Sequence, residues 1–471
     1  MADSNCCIAI VGAGFSGTVT AINLLGQVHA EPLRILLIDR ERHARGVAYA
    51  DHAGGCLLNV PAARMSAFAN DPLDFLQFAQ RTLPQATGED FLPRTLYGAY
   101  LEERLSIAEY DAPSHVTLER VRGSVSSLEV WRPNHMFILG FADGHEMTAN
   151  QVVLALGNPL PAALPGGDLL RQSLRLVEDP WCQLGTCVPD ETVLMVGTGL
   201  TMADIVTSAA QSGRGPAQIH AISRHGLVPP VQTAFRHSHS EFDPAPLLRS
   251  ASSSMRQLFH LVREISRQTE ERGGDWREAI TFVRGLAPKL WARLPARERK
   301  RFLRHVRSYW DIHRHRLPAV TRAALDELQK AHRLTIHAGK ILHLEPEADQ
   351  VRVIWRPRGQ DEPAQLRVDR VINCTGPDYR CASSRDPLVR DLVANGLIQP
   401  DALGTGLRIA PNGGAMNLFG RATRGLYYIG PMLRAEHWEA TAVQELRDHA
   451  QRLAEELVSP GVSRVPAQGI S

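Results

Sequence analysis

The stretch Cys7-Ile8-Ala9-Ile10-Val11-Gly12-Ala13-Gly14-Phe15-Ser16-Gly17 decides the fold. An apolar run that reads as a strand ends in a G-x-G-x-x-G turn, and Phe15–Ala30 continues as a helix with apolar Val19, Ile22, Leu25 and Val28. A second strand, Leu33–Ile38, ends at Asp39, with Arg40 after it. This is the layout of a dinucleotide cradle. Gly12 allows the tight turn, Gly14 the approach of a pyrophosphate, and Gly17 the packing of helix on sheet. The amides at Phe15 and Ser16 open the helix, whose positive end favours the phosphates, and Asp39 can accept from ribose hydroxyls. An acid at this place disfavours a 2′-phosphate, so the ligand is FAD or NAD, and the turn alone does not choose.

The pattern returns twice. Thr192–Gly197 leads into Gly197-Thr198-Gly199-Leu200-Thr201-Met202, with a helix from Leu200 and a strand Gln218–Ile222. Met202 replaces the third glycine. The next strand ends in Ser223-Arg224-His225 instead of an acid. Arg224 can pair with a 2′-phosphate, which favours NADPH over NADH; the alternative is a solvated arginine. Arg370–Gly376 repeats the strand–glycine pattern more weakly.

Strands alternating with helices imply parallel sheets. The expected fold is α/β, with two Rossmann-like dinucleotide-binding domains, the second inserted in the first, and a basic helical insert. The Pro/Gly-rich stretch from Gly157 to Asp168 reads as the crossing. The boundaries are 1–160 and 340–471 for the FAD-binding domain, 165–230 for the NADPH-binding domain, and 231–335 for a helical substrate cap. That last block holds 21 Lys+Arg against 11 Asp+Glu, whereas the whole chain has 52 against 50. The basic charge is local, and the balanced total gives no argument for nucleic acid or an anionic membrane. Strands resume at Arg333–His337, Val351–Trp355 and Val368–Cys374. The chain closes with strand Leu426–Ile429 and a helix over about Glu436–Leu457.

With 44% hydrophobic and 22% charged residues in 471, the composition is that of a globular chain and excludes disordered and disulfide-scaffold classes. No run is long enough to span a bilayer. The first apolar run lacks a basic leader and is read as a strand of a cytoplasmic protein. The seven cysteines show no metal spacing. Cys182 and Cys187, a C-x4-C, read as reduced thiols or, alternatively, a redox pair. No metal is expected.

The C-terminal pattern Tyr427-Tyr428-Ile429-Gly430-Pro431, followed by His437-Trp438-Glu439-Ala440-Thr441-Ala442, favours FAD at the first cradle. In two-domain flavoproteins, which this pattern resembles, such a helix points its positive end at the flavin's pyrimidine edge. Gly430-Pro431 stands where a Gly-Asp is usual.

Order and motifs together resemble flavoproteins with two dinucleotide-binding domains. Leu57-Leu58-Asn59-Val60-Pro61-Ala62-Ala63-Arg64-Met65-Ser66-Ala67-Phe68 looks like the N-x-P…M-S…F stretch of flavin-containing monooxygenases. Gly46-Val47-Ala48-Tyr49, Gly197–Asp204 and Trp438–Val443 together resemble a bacterial FAD/NAD(P)-binding family, some of whose members are assigned as FAD-dependent urate hydroxylases. The resemblance covers about residues 6–450. It implies FAD on Gly12–Gly17, Asp39, Arg40, Asn59, Val60, Gly157, Gly376, Gly430, Thr441 and Ala442, and NADPH on Gly197, Gly199, Thr201, Ser223 and Arg224. It implies NADPH-dependent hydroxylation of a small polar or heteroaromatic metabolite by O2 through a flavin C4a-hydroperoxide. Asn59 is the catalytic candidate, beside flavin and nicotinamide; its alternative role is a turn residue before Pro61. An oxidase or dehydrogenase without oxygen insertion, and a non-catalytic FAD-binding sensor, are the rivals. The F-x-G-x-x-x-H linker of Baeyer–Villiger and N-hydroxylating enzymes is missing. His313, Arg314, Arg316 and His437 are the expected substrate contacts. The only expected partners are substrate and O2, and a homodimer is left open.

Overall fold

Each of the two main glycine turns opens the first crossover of its own sheet. The computed structural model describes residues 6–131, 136–181, 188–211, 213, 215–233 and 242–459. In the first sheet β1 (Cys6–Val11) pairs in parallel with β2 (Leu33–Asp39), and β2 with β3 (Val116–Arg122). Hairpin strands β4 (Val125–Trp131), β5 (Met136–Phe141) and β6 (Glu146–Ala149) form a separate antiparallel sheet. The chain then returns through β7 (Gln151–Leu154) to the other edge of β1. Both faces of this parallel sheet are covered, so its strands read as unbroken apolar runs. Ile8, Ile10, Ile35 and Leu37 face one buried cluster, and Ala9, Val11, Leu36 and Ile38 the other.

The second sheet begins with β8 (Leu176–Val177), β9 (Thr192–Val196) and β10 (Gln218–Ser223). After the helical insert it continues with β11 (Leu334–Pro346), β12 (Val351–Pro357), β13 (Ala364–Val368) and β14 (Arg370–Asn373), in the order β13-β12-β11-β10-β9-β14-β8. This corrects the expected return to the first domain at 340. β14 lies parallel to β9, with Val371 opposite Leu194, and Val351, Val353 and Val368 share a buried cluster with Leu194 and Val196. Only after β14 does the chain cross back. It then adds β15 (Gly414–Met416) and β16 (Ala422–Tyr428), the latter parallel to β7.

Two helix ends differ from expectation. The first helix stops at Leu25, capped by Gly26, so Val28 is 96% exposed instead of continuing an apolar stripe. The last helix runs Val443–Val458, not from Glu436. Residues 431–435 form a 3-10 turn, and Trp438 and Glu439 are pulled into buried contacts that an α-helix from 436 would not place. No helix is long and apolar enough to cross a membrane among the described residues.

Candidate functional site: two glycine turns and the stretch between them

The first turn is built as its sequence demands. Gly12 has φ +105°, and a Cβ there would lie 2.2 Å from the Ala155 carbonyl oxygen. A Cβ on Gly17 would lie 1.9 Å from the Gly12 carbonyl oxygen. Neither position accepts a side chain without moving the backbone. Gly14 caps the Phe15–Leu25 helix, with Phe15 and Ser16 buried in its first turn. The free amides of that turn form the positive helix end. Asp39 takes the Ala13 amide on Oδ2 at 2.6 Å and the Glu41 amide on Oδ1 at 3.0 Å, so the acid braces the turn it was expected to serve. Arg40 is exposed. Gly157 ends the chain segment after β7 with φ +66° and no atom within 4 Å of its Cβ position. The Cβ position of Gly430, after β16, lies 3.9 Å from the Gly157 amide. Gly12, Gly157 and Gly430 thus follow neighbouring strands β1, β7 and β16 at one end of the first sheet.

Sequence reasoning gave no role to Gly46. Its φ is +54°, and a Cβ there would stand 2.9 Å from Gly14 Cα. The Ala44 amide also bonds the Ala13 carbonyl at 2.8 Å. The second glycine of the turn is therefore approached by backbone, and the GVAY run was the available signal.

The second turn repeats the geometry. Gly197 has φ +118° with its Cβ position 2.3 Å from the Cys374 carbonyl oxygen, while Gly199 has nothing within 4 Å. Gly376 (φ +81°) follows β14 and so sits beside this turn, not the first. Met202 is fully buried at the third glycine's place. Thr201 is half-buried. The Ser223 hydroxyl is engaged within the turn, 2.8 Å from the Thr198 hydroxyl and accepting from the Gly226 amide at 3.1 Å. Arg224 is exposed, and no ion pair to it is found among the described residues.

Between the turns lies the Leu57–Phe68 stretch. It is pinned by Leu58 N to the Leu92 carbonyl at 2.8 Å and Ala62 N to the Asp90 carbonyl at 2.9 Å. Asn59 and Val60 are half-buried. No hydrogen bond to the Asn59 amide group is found among the described residues. Arg94 ties three parts together. Its Nε donates to the Leu57 carbonyl at 3.1 Å, its Nη2 pairs with Asp204 of the second turn's helix at 2.7 Å, and its guanidinium lies 5.3 Å over the Trp181 ring. Burial pushes the Asp204 carboxyl up to about 6, with Arg94 pulling the other way. The Ser208 hydroxyl on the same helix bonds the Gly54 carbonyl at 3.2 Å.

Cys56, the one cysteine near the expected flavin face, is buried and its thiol is pushed up to about 12 by desolvation. A thiol so held is a poor nucleophile. Cys182 and Cys187 lie outside the described residues. No group of three or more possible metal ligands occurs among the described residues.

The helical insert brings Arg314 to the C-terminal segment, where its Nε pairs with Glu439 at 2.7 Å beside Trp310 Nε1 at 3.0 Å. Arg316 lies in the same cluster, with Arg277, Arg314 and Arg64 close enough to lower its guanidinium to about 10, after burial as the main cause. His313 stands edge-on at 5.2 Å to Trp276, the ring that Arg277 and Arg316 face at 4.5 and 5.9 Å. His437 is exposed, its ring 5.0 Å from His449. Thr441 and Ala442 stand immediately before the Val443–Val458 helix, Ala442 as its cap. The residue missed is His315, which burial and the guanidiniums of Arg314, Arg434, Arg284 and Arg316 hold well below its usual range.

Residues 9–159 match the FAD-NAD(P)-binding family model. Three uncharacterized mycobacterial proteins, one from Mycobacterium bovis and two from strains of Mycobacterium tuberculosis, are 24% identical, covering 88% of this chain and 79% of theirs. Among solved structures, the ornithine N-hydroxylase of Kutzneria sp. 744 matches with a TM-score of 0.59 at 16% identity, over 96% of this chain and 98% of that one. The ornithine hydroxylase of Pseudomonas aeruginosa matches with 0.61 at 14%, over 96% and 99%. L-lysine 6-monooxygenase of Pseudomonas syringae matches with 0.61 at 15%, over 96% and 98%. At such identity these likenesses speak for architecture, and the chain has the two-dinucleotide-domain fold that those flavoproteins share.

Proposed function

We propose that this chain is an FAD- and NADPH-dependent monooxygenase acting on a small polar or heteroaromatic metabolite. The observation that carries the reading is the pairing of two glycine cradles on one chain, with an unengaged amide, Asn59, on a stretch clamped between them. FAD bound at the first cradle supplies a hydride acceptor and an O2-reactive ring. Gly12, Gly17 and Gly157 leave backbone where side chains would obstruct, and Asp39 keeps the turn in shape. Ala442 and the start of the helix after it would offer FAD free backbone amides and a positive helix end, which favour negative charge. The open position at Gly199 admits a second pyrophosphate, and exposed Arg224 suits a 2′-phosphate. Arg94 sets the distance between the cradles, because one guanidinium holds both the Leu57 carbonyl and Asp204. Asn59 contributes one donor and one acceptor on the stretch resembling the monooxygenase motif.

The test is reduction of the yellow protein by NADPH without oxygen, then admission of air with candidate metabolites and product analysis. A hydroxylated product formed in step with NADPH supports the reading. Rapid reoxidation that yields only hydrogen peroxide with every metabolite favours the oxidase alternative.

A further inference from the structure

We infer that Arg358 is a second guanidinium for the 2′-phosphate of NADPH, brought beside Arg224 by the strand next to β10 and held there by His225; this rests on the NADPH reading above. Sequence reasoning gave Arg358 no role, because it stands 133 residues beyond His225 and follows a strand of the later hairpin.

The second glycine turn fits a pyrophosphate on its own geometry, since a Cβ at Gly199 would have nothing within 4 Å. In such folds the ribose beside that pyrophosphate is read at the end of the following strand. Here that strand is β10, which ends at Ser223. The Ser223 hydroxyl lies 2.8 Å from the Thr198 hydroxyl, between the two glycines, so strand end and turn are one unit.

Arg358 reaches this place through the sheet. Ala338 of β11 is the partner of Ser223 in the parallel register, one strand spacing of about 4.8 Å away. The Arg358 amide donates to the Ala338 carbonyl at 2.8 Å. Gly226, with φ +62°, turns the chain after β10 against the same residue: a Cβ there would stand 3.2 Å from the Ala338 Cβ. The turn that carries Arg224 and the backbone of Arg358 therefore both adjoin one alanine. A side-chain contact completes the junction. Arg358 Nη1 donates to His225 Nδ1, and the His225 ring lies 5.5 Å from the Tyr309 ring of the insert. Burial, then the guanidiniums of Arg358 and Arg224, pull the His225 imidazole below its usual range. A neutral imidazole accepts from a guanidinium without adding charge.

The chemistry asks for more than one arginine. A phosphate monoester carries close to two negative charges and three acceptor oxygens, and one planar fork binds two of those oxygens. The bond to His225 uses one of the five N–H donors of Arg358 and leaves the others for an anion. Arg224 and Arg358 are both exposed, and no ion pair to either is found among the described residues. Two guanidiniums from two neighbouring strands thus border the place of the 2′ position. NADH, with a hydroxyl there, offers neither of them a charge.

The test titrates 2′,5′-ADP and 5′-AMP, the adenosine ends of NADPH and NADH, into the FAD-loaded protein by calorimetry at fixed ionic strength. The parent should bind 2′,5′-ADP more tightly. Arg358→Gln should weaken 2′,5′-ADP by about 10-fold, the low end for a charge-assisted contact because this one is exposed, and leave 5′-AMP unchanged. Arg358→Lys should recover part of the loss. His225→Ala acts through Arg358, so it should weaken 2′,5′-ADP in the parent and change nothing further in Arg358→Gln. Fully additive losses overturn the role given to His225. An unchanged 2′,5′-ADP affinity in Arg358→Gln, or an equal loss for 5′-AMP, overturns the inference while the parent's preference for 2′,5′-ADP keeps the NADPH reading. A parent that binds both probes alike overturns the NADPH reading and this inference with it. Flavin absorbance in each sample shows that the variant is folded.

Discussion

Arg94→Met should split the two domains' communication and cost stability in a way that depends on pH. The guanidinium pairs with Asp204 at 2.7 Å, and the two side chains are only 12% and 11% exposed. Removing one partner of a buried pair typically costs about 3–5 kcal/mol, because the other charge stays behind without compensation. Asp204 decides the pH dependence. Burial raises its carboxyl from 3.8 to about 6 in the folded chain. A raised acid binds more protons folded than unfolded, so stability falls as pH rises through about 4 to 6 and is level above. The span corresponds to at most about 3 kcal/mol. Without Arg94 the carboxyl rises further, and the penalty becomes largest at pH 8 and smallest near pH 5, where protonation removes the stranded charge. Urea unfolding of parent and variant at the two pH values, each with FAD content recorded, measures this. A loss below about 1 kcal/mol, or an equal loss at both pH values, refutes the clamp. Double replacement, Arg94→Met with Asp204→Leu, should regain most of the loss, since a packed apolar pair often matches a buried ion pair.

Gly14→Val should purify without FAD, because valine branches would fill the space that Gly46 and a pyrophosphate approach; the ratio of flavin to protein absorbance checks it. Arg224→Ala should raise the KM for NADPH by about 10- to 150-fold and leave NADH nearly unchanged, which steady-state kinetics with both cofactors would show. Equal losses would remove the 2′-phosphate role. Asn59→Ala should stay yellow and reducible by NADPH, yet release a larger share of electrons as hydrogen peroxide with substrate present; an unchanged ratio returns Asn59 to a turn residue.

The parallel sheets were legible because βα turns of this kind leave few alternatives. Gly12, Gly17 and Gly197 each sit where a Cβ would strike a backbone atom within 2.3 Å, so the residue type is dictated locally. The same holds for β2, whose end is tied to the turn by the Ala13 amide on Asp39 at 2.6 Å and the Gly12 amide on the Ile38 carbonyl at 2.8 Å. Domain boundaries were less legible. β11 to β14 follow a long helical insert, and pairings across more than a hundred residues, β11 with β10 and β14 with β9, assign them to the second sheet. Periodicity carries no information about such partners. The last helix began late for the same reason: Trp438 packs at 4.6 Å on Trp291 and Glu439 binds the insert, contacts made by residues far away in sequence.

The site divides along the same line, and the division explains why substrate was the hardest part to read. A dinucleotide is recognised mainly through backbone and one acid or arginine at the end of a strand, so its signature lies within about 30 consecutive residues. The ion pairs that join the insert to the C-terminal segment, Arg284 with Glu445 and Arg314 with Glu439, span 161 and 125 residues, and no spacing rule links them. Even so, one asymmetry was visible beforehand: the local excess of 21 Lys+Arg over 11 Asp+Glu in 231–335. A solvated basic surface would have spread that excess outward. Here Arg284 and Arg314 turn inward instead, onto Glu439 and Glu445 of the C-terminal segment. The insert is thereby joined electrostatically to the segment that leads into the Val443–Val458 helix. Glu439→Gln tests this: it keeps the shape, removes the carboxylate that Arg284 and Arg314 share, and should lower the thermal midpoint of the FAD-loaded protein, whereas an unchanged midpoint would show that the junction holds nothing in place.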